Sequence, residues 1–133
     1  MQIPSLLSAT ALAVDQLRAG WVLVLLGLAS GLFLGLGFHL EHFLGGYTSL
    51  RRRLVRLGHI ALVALGALNV LWALSAESLG APALAAPLFL VGSALMPALC
   101  FAVAWQPKLR LAFAAPALCL TAAVTLLAMG GAS

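Results

Sequence analysis

The chain has 133 residues, of which 64% are hydrophobic and only 8% are charged, and its formal net charge is +4. Soluble domains typically carry about 25% charged residues, so the composition excludes an ordinary soluble globular protein. The few charges are separated by uncharged stretches of 22, 20, 30 and 23 residues, which leave little chain for an enzymatic or nucleic-acid-binding domain. These stretches are Ala19–Leu40, Leu57–Ala76, Ser78–Pro107 and Leu111–Ser133.

Residues 1–19 form the first predicted unit, a short helix that lies at the membrane surface, separate from the rest of the chain. Apolar residues such as Leu6 and Leu17 alternate here with Ser8, Asp15 and Gln16. The segment is too short and too polar to span a bilayer, which is typical of an interfacial helix. No Lys or Arg precedes its apolar run, so the segment does not match a signal peptide.

Residues 20–133 are predicted to form four transmembrane helices. About 20 helical residues, at a rise of about 1.5 Å each, cross the roughly 30 Å hydrocarbon core of a bilayer. Lipid offers no partners for backbone hydrogen bonds, which excludes irregular spans. The predicted spans lie near 21–44, 50–76, 82–105 and 108–130. Their short connections predict an all-α membrane protein with four antiparallel helices in a small bundle.

Three turn signals set the expected ends of these spans. Gly45 and Gly46 are placed to end the first helix, because glycine readily adopts the conformation of a helix C-cap. Thr48 or Ser49 can cap the start of the second helix. Gln106 and Pro107 predict a tight turn between the third and fourth helices.

The distribution of basic residues predicts the orientation. With four spans, the N-terminus, the second loop and the C-terminus share one side, which carries only Arg18. The first and third loops carry six basic residues, Arg51, Arg52, Arg53, Arg56, Lys108 and Arg110. By the positive-inside rule, both termini are expected on the non-cytoplasmic side. The aromatic residues at the span ends agree, with Trp21 and Trp72 outside and Tyr47 and Trp105 inside.

Gly27, Gly31 and Gly35 recur every four residues and predict a helix-packing face in the first span. Small residues at this spacing allow two helix backbones to approach closely in lipid. We expect this face to contact another helix of the same chain rather than a partner protein. Cys100 and Cys119 are expected to lie at different depths and therefore to remain unpaired.

Three histidines are the candidate cofactor or metal ligands. His39 and His42 lie near the inner end of the predicted first span, where a spacing of three places them on one helix face. His59 lies near the inner start of the second span. With the hairpin centre taken midway between Glu41 and Arg56, His39 and His59 have nearly the same depth. A pair of imidazoles there can hold a b-type haem or a metal, or hydrogen-bond to a quinone. The alternative that we favour is a structural polar cluster.

Arg51, Arg52, Arg53 and Arg56 form a basic cluster, with Glu41 as a candidate counter-charge. Their position at the start of a helix opposes the helix dipole, so another interaction must favour them. Anionic lipid headgroups suffice for this purpose. An acidic partner subunit is the alternative.

The leading functional hypothesis is a small accessory or structural subunit of a larger membrane complex, such as a respiratory or photosynthetic electron-transfer complex. Its expected partners are other membrane subunits and anionic lipids, including bound lipid, and no nucleic acid. One alternative is an electron-transfer protein that binds haem or a metal through His39, His42 or His59. Another is an oligomeric channel or carrier lined by Ser30, Asn69, Ser93 and Thr125.

No catalytic constellation occurs in the sequence, so we do not expect an enzyme. No cofactor is predicted firmly, and haem b remains the candidate if the histidines are ligands. The frequent use of Ala, Gly, Leu and Arg indicates a GC-rich bacterial genome. The expected location is therefore the bacterial inner membrane.

Overall fold

The structure is a computed structural model that describes residues 3–76 and 78–130, with side chains from residue 11 onward. The described residues form helices and connecting turns, with no strand. The four α-helices are α1 (Ile3–Gly37), α2 (Leu50–Ser75), α3 (Ala85–Trp105) and α4 (Ala114–Gly130). Two 3-10 helices, Phe43–Gly45 and Pro107–Phe113, lie before α2 and α4. The predicted all-helical fold is confirmed.

Four helical segments in the described chain are long and apolar enough to cross a membrane. They are Ala11–Gly37, Leu50–Ser75, Ala85–Trp105 and Pro107–Gly130. Each exceeds the length of about 20 residues that a bilayer core requires. The segments therefore indicate a multi-pass membrane protein.

The separate N-terminal helix predicted for residues 1–19 is wrong, because α1 runs without a break from Ile3 to Gly37. After Pro4, the next helix-breaking residue is Gly20, and glycine within a helix costs only about 1 kcal/mol. Gln16, one of the polar residues that led to the interfacial interpretation, is 3% exposed. It lies in the helix contact described below. The side chains of residues 1–10 lie outside the described part of the chain.

The first helix ends at Gly37, seven residues before the predicted end at 44. The chain turns back so that the Phe43 ring occupies the space that a side chain at residue 37 would need. Phe43 also packs edge-on against Phe38, with the ring centroids 6.2 Å apart. Gly45 and Gly46 have positive φ angles of 87°, but they lie in the loop before α2 and do not cap α1.

The other turn predictions agree with the structure. The Ser49 hydroxyl accepts a 3.1 Å hydrogen bond from the backbone N–H of Arg52 and caps α2. α3 ends at Trp105, and the second 3-10 helix begins at Pro107, so Gln106 and Pro107 form the expected turn. Side-chain capping of α2 satisfies a backbone donor that the first turn of a helix leaves open.

Glycines bring α1 and α2 into close contact along much of their lengths. A Cβ placed on Gly66 would lie 2.8 Å from the Val24 backbone nitrogen and 2.9 Å from the Gly20 carbonyl oxygen. A Cβ on Gly27 would lie 3.0 Å from the Val63 nitrogen. These distances leave no room for a methyl group between the two backbones. Only glycine permits this approach, as expected for packing in lipid.

The remaining helices pack mainly on their neighbours in sequence, α2 on α3 and α3 on α4. The Trp72 ring stacks on Phe89 with a centroid distance of 4.6 Å. Together with Ala85 and Ala123, these rings form a buried cluster that joins α2, α3 and α4. Trp72 is only 5% exposed, so it packs in the core and does not provide the membrane-surface anchor that we expected.

We predict that Gly66→Ala weakens the contact between α1 and α2, because the new methyl group meets backbone atoms that cannot move independently. The expected loss is about 1–3 kcal/mol, as for other overpacked contacts. The thermal unfolding midpoint in detergent measures it. The matched control is Gly35→Ala, since a Cβ at Gly35 has no atom within 4 Å and alanine improves helix propensity by up to about 1 kcal/mol. Equal midpoints for both variants would contradict the close contact.

Candidate functional site

A buried amide pair joins α1 to α2. The Gln16 side-chain nitrogen donates a 3.2 Å hydrogen bond to the Asn69 side-chain oxygen. The Asn69 amide nitrogen in turn donates to the Leu65 carbonyl at 2.8 Å. Asn69 is completely buried, and an unpaired buried amide would be costly. The pair therefore requires this part of α1 to remain against α2.

His59 forms a second polar link between the same helices. Its Nδ1 atom lies 2.8 Å from the Gly27 carbonyl oxygen and 3.1 Å from the Ser30 hydroxyl. A carbonyl can only accept a hydrogen bond, so Nδ1 carries the proton and donates to Gly27. The Ser30 hydroxyl donates to the same carbonyl at 2.7 Å. In the neutral form of the ring, this donor role of Nδ1 leaves Nε2 as an acceptor.

The structure does not place the other histidines opposite His59. His39 and His42 are exposed residues in the turn that follows α1, and neither belongs to that helix. The predicted shared helix face is therefore wrong. His59 instead contacts Gly31 and Gly27, because the early end of α1 centres the hairpin near Gly45. The prediction of equal depth for His39 and His59 had placed the hairpin centre later in the chain, midway between Glu41 and Arg56.

Arg52 is the most unusual charged residue in the structure, since its side chain is only 4% exposed. Its guanidinium lies 3.9 Å from the centroid of the Tyr47 ring and 4.7 Å from that of Phe38. The faces of both rings attract a cation. Its Nη1 atom is buried and has no hydrogen-bond partner. The aromatic faces thus hold the charge while one strong donor remains unsatisfied.

Two neighbouring arginines complete what we call the arginine cluster, which consists of Arg51, Arg52 and Arg56. The Arg51 Nε atom donates a 3.2 Å hydrogen bond to the Ala104 carbonyl, at the end of α3. A cation is favourable at that helix end. Arg51 also lies 5.8 Å from the Trp105 ring, and Arg56 lies 6.0 Å from Phe38. These contacts offset the unfavourable position of the arginines at the start of α2.

The remaining charged candidates of this region, Glu41 and Arg53, are exposed. Glu41 lies in the turn after α1, close in sequence to His39 and His42. The arginine cluster contacts aromatic rings and the Ala104 backbone carbonyl. These contacts take the place of the Glu41 carboxylate that we predicted as its counter-charge.

An apolar cavity of about 280 Å³ lies beside the arginine cluster. It is bounded by residues of α1, the first 3-10 helix, α2 and α3. These residues are Ser30, Phe33, Leu34, Phe43, Leu44, Val55, Phe101 and Trp105. Two aromatic contacts link the cavity to the cluster: Arg51 lies over Trp105, and Phe43 packs against the Phe38 ring that Arg52 contacts.

The glycines of the predicted packing face have different surroundings. Gly27 and Gly31 face Val63 and His59 on α2. Gly35 has open space around its Cβ position. Two glycines outside the predicted face, Gly20 and Gly66, make the closest backbone contacts between α1 and α2. Cys100 and Cys119 are free cysteines, as expected.

The hydroxyl groups proposed to line a channel hydrogen-bond within their own helices, and Asn69 pairs with Gln16 of α1. The hydroxyls of Ser30, Ser93 and Thr125 each donate to a backbone carbonyl three or four residues earlier. Ser93 and Asn69 are fully buried, whereas Thr125 is exposed. These residues therefore do not share one surface. In the described part of the chain, no group of three or more His, Cys, Asp or Glu side chains is placed to hold a metal ion.

Sequence reasoning missed the most informative contacts of the site. Gln16 was assigned to a surface segment, and no pattern in the sequence identifies Asn69 as its hydrogen-bond partner. The contacts of Arg52 with aromatic rings form because the segment between α1 and α2 brings Phe38 and Tyr47 to the start of α2. No pattern in the sequence predicts this geometry.

Comparisons of the chain with known protein families, with curated proteins and with solved structures find no match.

We predict that His59→Ala destabilises the fold through the loss of its link to α1. Hydrogen bonds between membrane helices contribute about 0.6 kcal/mol on average and up to about 1.7 kcal/mol, and a loss in this range is expected from unfolding in detergent. The control His39→Ala removes an exposed imidazole and should change stability by less than about 0.5 kcal/mol. A larger effect at residue 39 would show that the turn histidine makes the important contact.

Proposed function

We propose that this chain is a small accessory subunit of a larger membrane complex, with a structural rather than catalytic role. Its four helices cross the membrane in antiparallel order and pack against other membrane subunits, while its arginine-rich end contacts anionic lipids. Respiratory and photosynthetic electron-transfer complexes are the proposed class of host. The exposed face of α4 carries this proposal.

Small residues form a strip along the exposed side of α4, between larger exposed residues such as Leu118 and Val124. Five of them lie within about 80° of one another around the helix axis, at about 100° per residue. They are Ala114, Ala117, Thr121, Thr125 and Ala128, and all are exposed. The buried residues of α4, Pro116 and Ala123, lie on the opposite face. Small residues at this spacing are typical of helix contacts in membranes.

The arrangement of the helices leaves this face open. Within the described residues, the extensive contacts join α1 to α2, α2 to α3 and α3 to α4, with a smaller contact between α1 and α3. α1 and α4 do not form an extensive contact, and α4 packs mainly on α3. The side of α4 that faces away from α3 is therefore available to a partner subunit. The self-satisfied polar side chains support this role over that of a channel.

A haem- or metal-binding role is the second candidate function. The observation that favours it is the tautomer of His59, because a backbone carbonyl that accepts from Nδ1–H leaves Nε2 free to bind a metal. The positions of His39 and His42 in the turn after α1 support it less. The absorption spectrum of gently purified protein distinguishes the candidates: a haem band that disappears in His59→Ala protein would favour ligation.

We predict that the same substitution, alanine to leucine, has different effects on assembly at two positions of α4. Ala117→Leu places a bulky side chain on the small-residue face and should lower the amount of chain in a high-mass assembly by about tenfold. Ala122→Leu makes the same change at an exposed position off that face and should leave assembly intact. Native gels of mildly solubilised membranes, with the subunits identified by mass spectrometry, measure both. A wild-type chain that migrates alone would overturn the proposal.

The proposed orientation places both termini outside the cytoplasm of a bacterial cell. In a background that lacks Cys100 and Cys119, an impermeant thiol reagent added to intact cells should label Ser133→Cys. It should not label Arg53→Cys until the membrane is opened, because Arg53 belongs to the basic side. The reverse pattern would contradict the orientation.

A further inference from the structure

We propose that the arginine cluster and the adjacent cavity together form a binding site for one anionic phospholipid. The phosphate binds at Arg52, and one acyl chain enters the cavity. This site rests on the lipid contact proposed above for the arginine-rich end, but it does not require the contact with partner subunits.

The unsatisfied donor of Arg52 provides the first argument. A buried guanidinium with a free Nη1 atom is energetically unfavourable unless an acceptor reaches it. The contacts of Arg52 with Tyr47 and Phe38 engage the flat faces of the rings and provide no lone pair in the plane of the guanidinium. An anionic oxygen both balances the positive charge of Arg52 and accepts a hydrogen bond from its Nη1 atom. Phosphate suits the planar fork of arginine particularly well.

The cavity provides the second argument. Its volume of about 280 Å³ exceeds that of engineered cavities of about 150 Å³ that hold benzene. Its lining is apolar apart from Ser30, whose hydroxyl already bonds to Gly27. Such a lining accepts a hydrocarbon chain and offers little to a polar ligand. Val55, which lines the cavity, lies three residues after Arg52, so the two occupy one face of α2.

The surroundings indicate a lipid of the bilayer rather than a soluble phosphate compound. Tyr47 and Trp105, which contact the arginines, are mostly exposed, and such aromatic residues favour the headgroup level of a membrane. Four further basic residues lie near the start of α2 or just after α3 in the sequence, and all are exposed: Arg53, Arg56, Lys108 and Arg110. Such residues attract anionic headgroups. A phospholipid places its phosphate at this level and its acyl chains beside the cavity.

The headgroup part of the site is tested by native mass spectrometry of detergent-purified protein titrated with dioleoyl phosphatidylglycerol or dioleoyl phosphatidylcholine. We expect one phosphatidylglycerol to bind wild-type protein in clear preference to phosphatidylcholine. Arg52→Gln should weaken its binding about tenfold or more. The control Arg53→Gln removes the same charge from an exposed position and should weaken binding no more than about fivefold. Equal losses, or no preference between the headgroups, would overturn the site.

The acyl-chain part is tested separately, which keeps the proposal open to refutation even if Arg52→Gln does not fold. Val55→Phe fills the cavity and should weaken binding of dioleoyl phosphatidylglycerol about tenfold. It should leave the binding of dihexanoyl phosphatidylglycerol nearly unchanged, because the short chains depend less on the cavity. Leu57→Phe, at an exposed position of α2, is the control and should affect neither lipid. An unchanged long-chain affinity in Val55→Phe protein would show that the cavity does not hold the lipid.

Discussion

The close approach of the α1 and α2 backbones is the constraint on which the other contacts between these helices depend. Gly20 and Gly66 leave room for backbone atoms only, and the helices therefore lie close enough for short polar side chains to reach across. The hydrogen bond from His59 to Gly27 and the amide pair of Gln16 and Asn69 both use this proximity. In lipid, where burial of apolar surface does not drive helices together, close packing and such hydrogen bonds supply the attraction.

The early end of α1 has the next largest consequence. Because the helix stops at Gly37, the turn residues Phe38 and Phe43 fold against the start of α2 and pack with Leu34 and Val55. This places aromatic faces beside arginines that would otherwise oppose the dipole of α2. The arginine contact with the Ala104 carbonyl then extends the same region to the end of α3. The turn after α1 thus provides both an aromatic ring beside the arginines and part of the cavity wall.

The sequence predicted the number of long apolar helices, because uncharged stretches and the need for internal backbone hydrogen bonds decide it. Ser49 and Pro107 also marked their boundaries correctly, since capping and proline geometry act locally. The end of α1 was not predicted, because residues 38–44 contain no Pro or Gly to mark a helix end and the break depends on Phe43 folding back. Gln16 was misassigned for a related reason: polarity suggested a surface, whereas its partner Asn69 lies on another helix.

The polar groups of this chain follow two patterns with different implications. The central groups, Asn69, His59 and Ser93, already have partners within the protein, so they stabilise the helices without needing a ligand. Among the described residues, Arg52 Nη1 and Trp72 Nε1 are buried donors without an acceptor, and of the two only Arg52 carries a charge. The cost of burying a charge is recovered only when hydrogen bonds complete its coordination. This difference identifies the arginine-rich end, rather than the middle of the helices, as the region where an external molecule improves the stability of the fold.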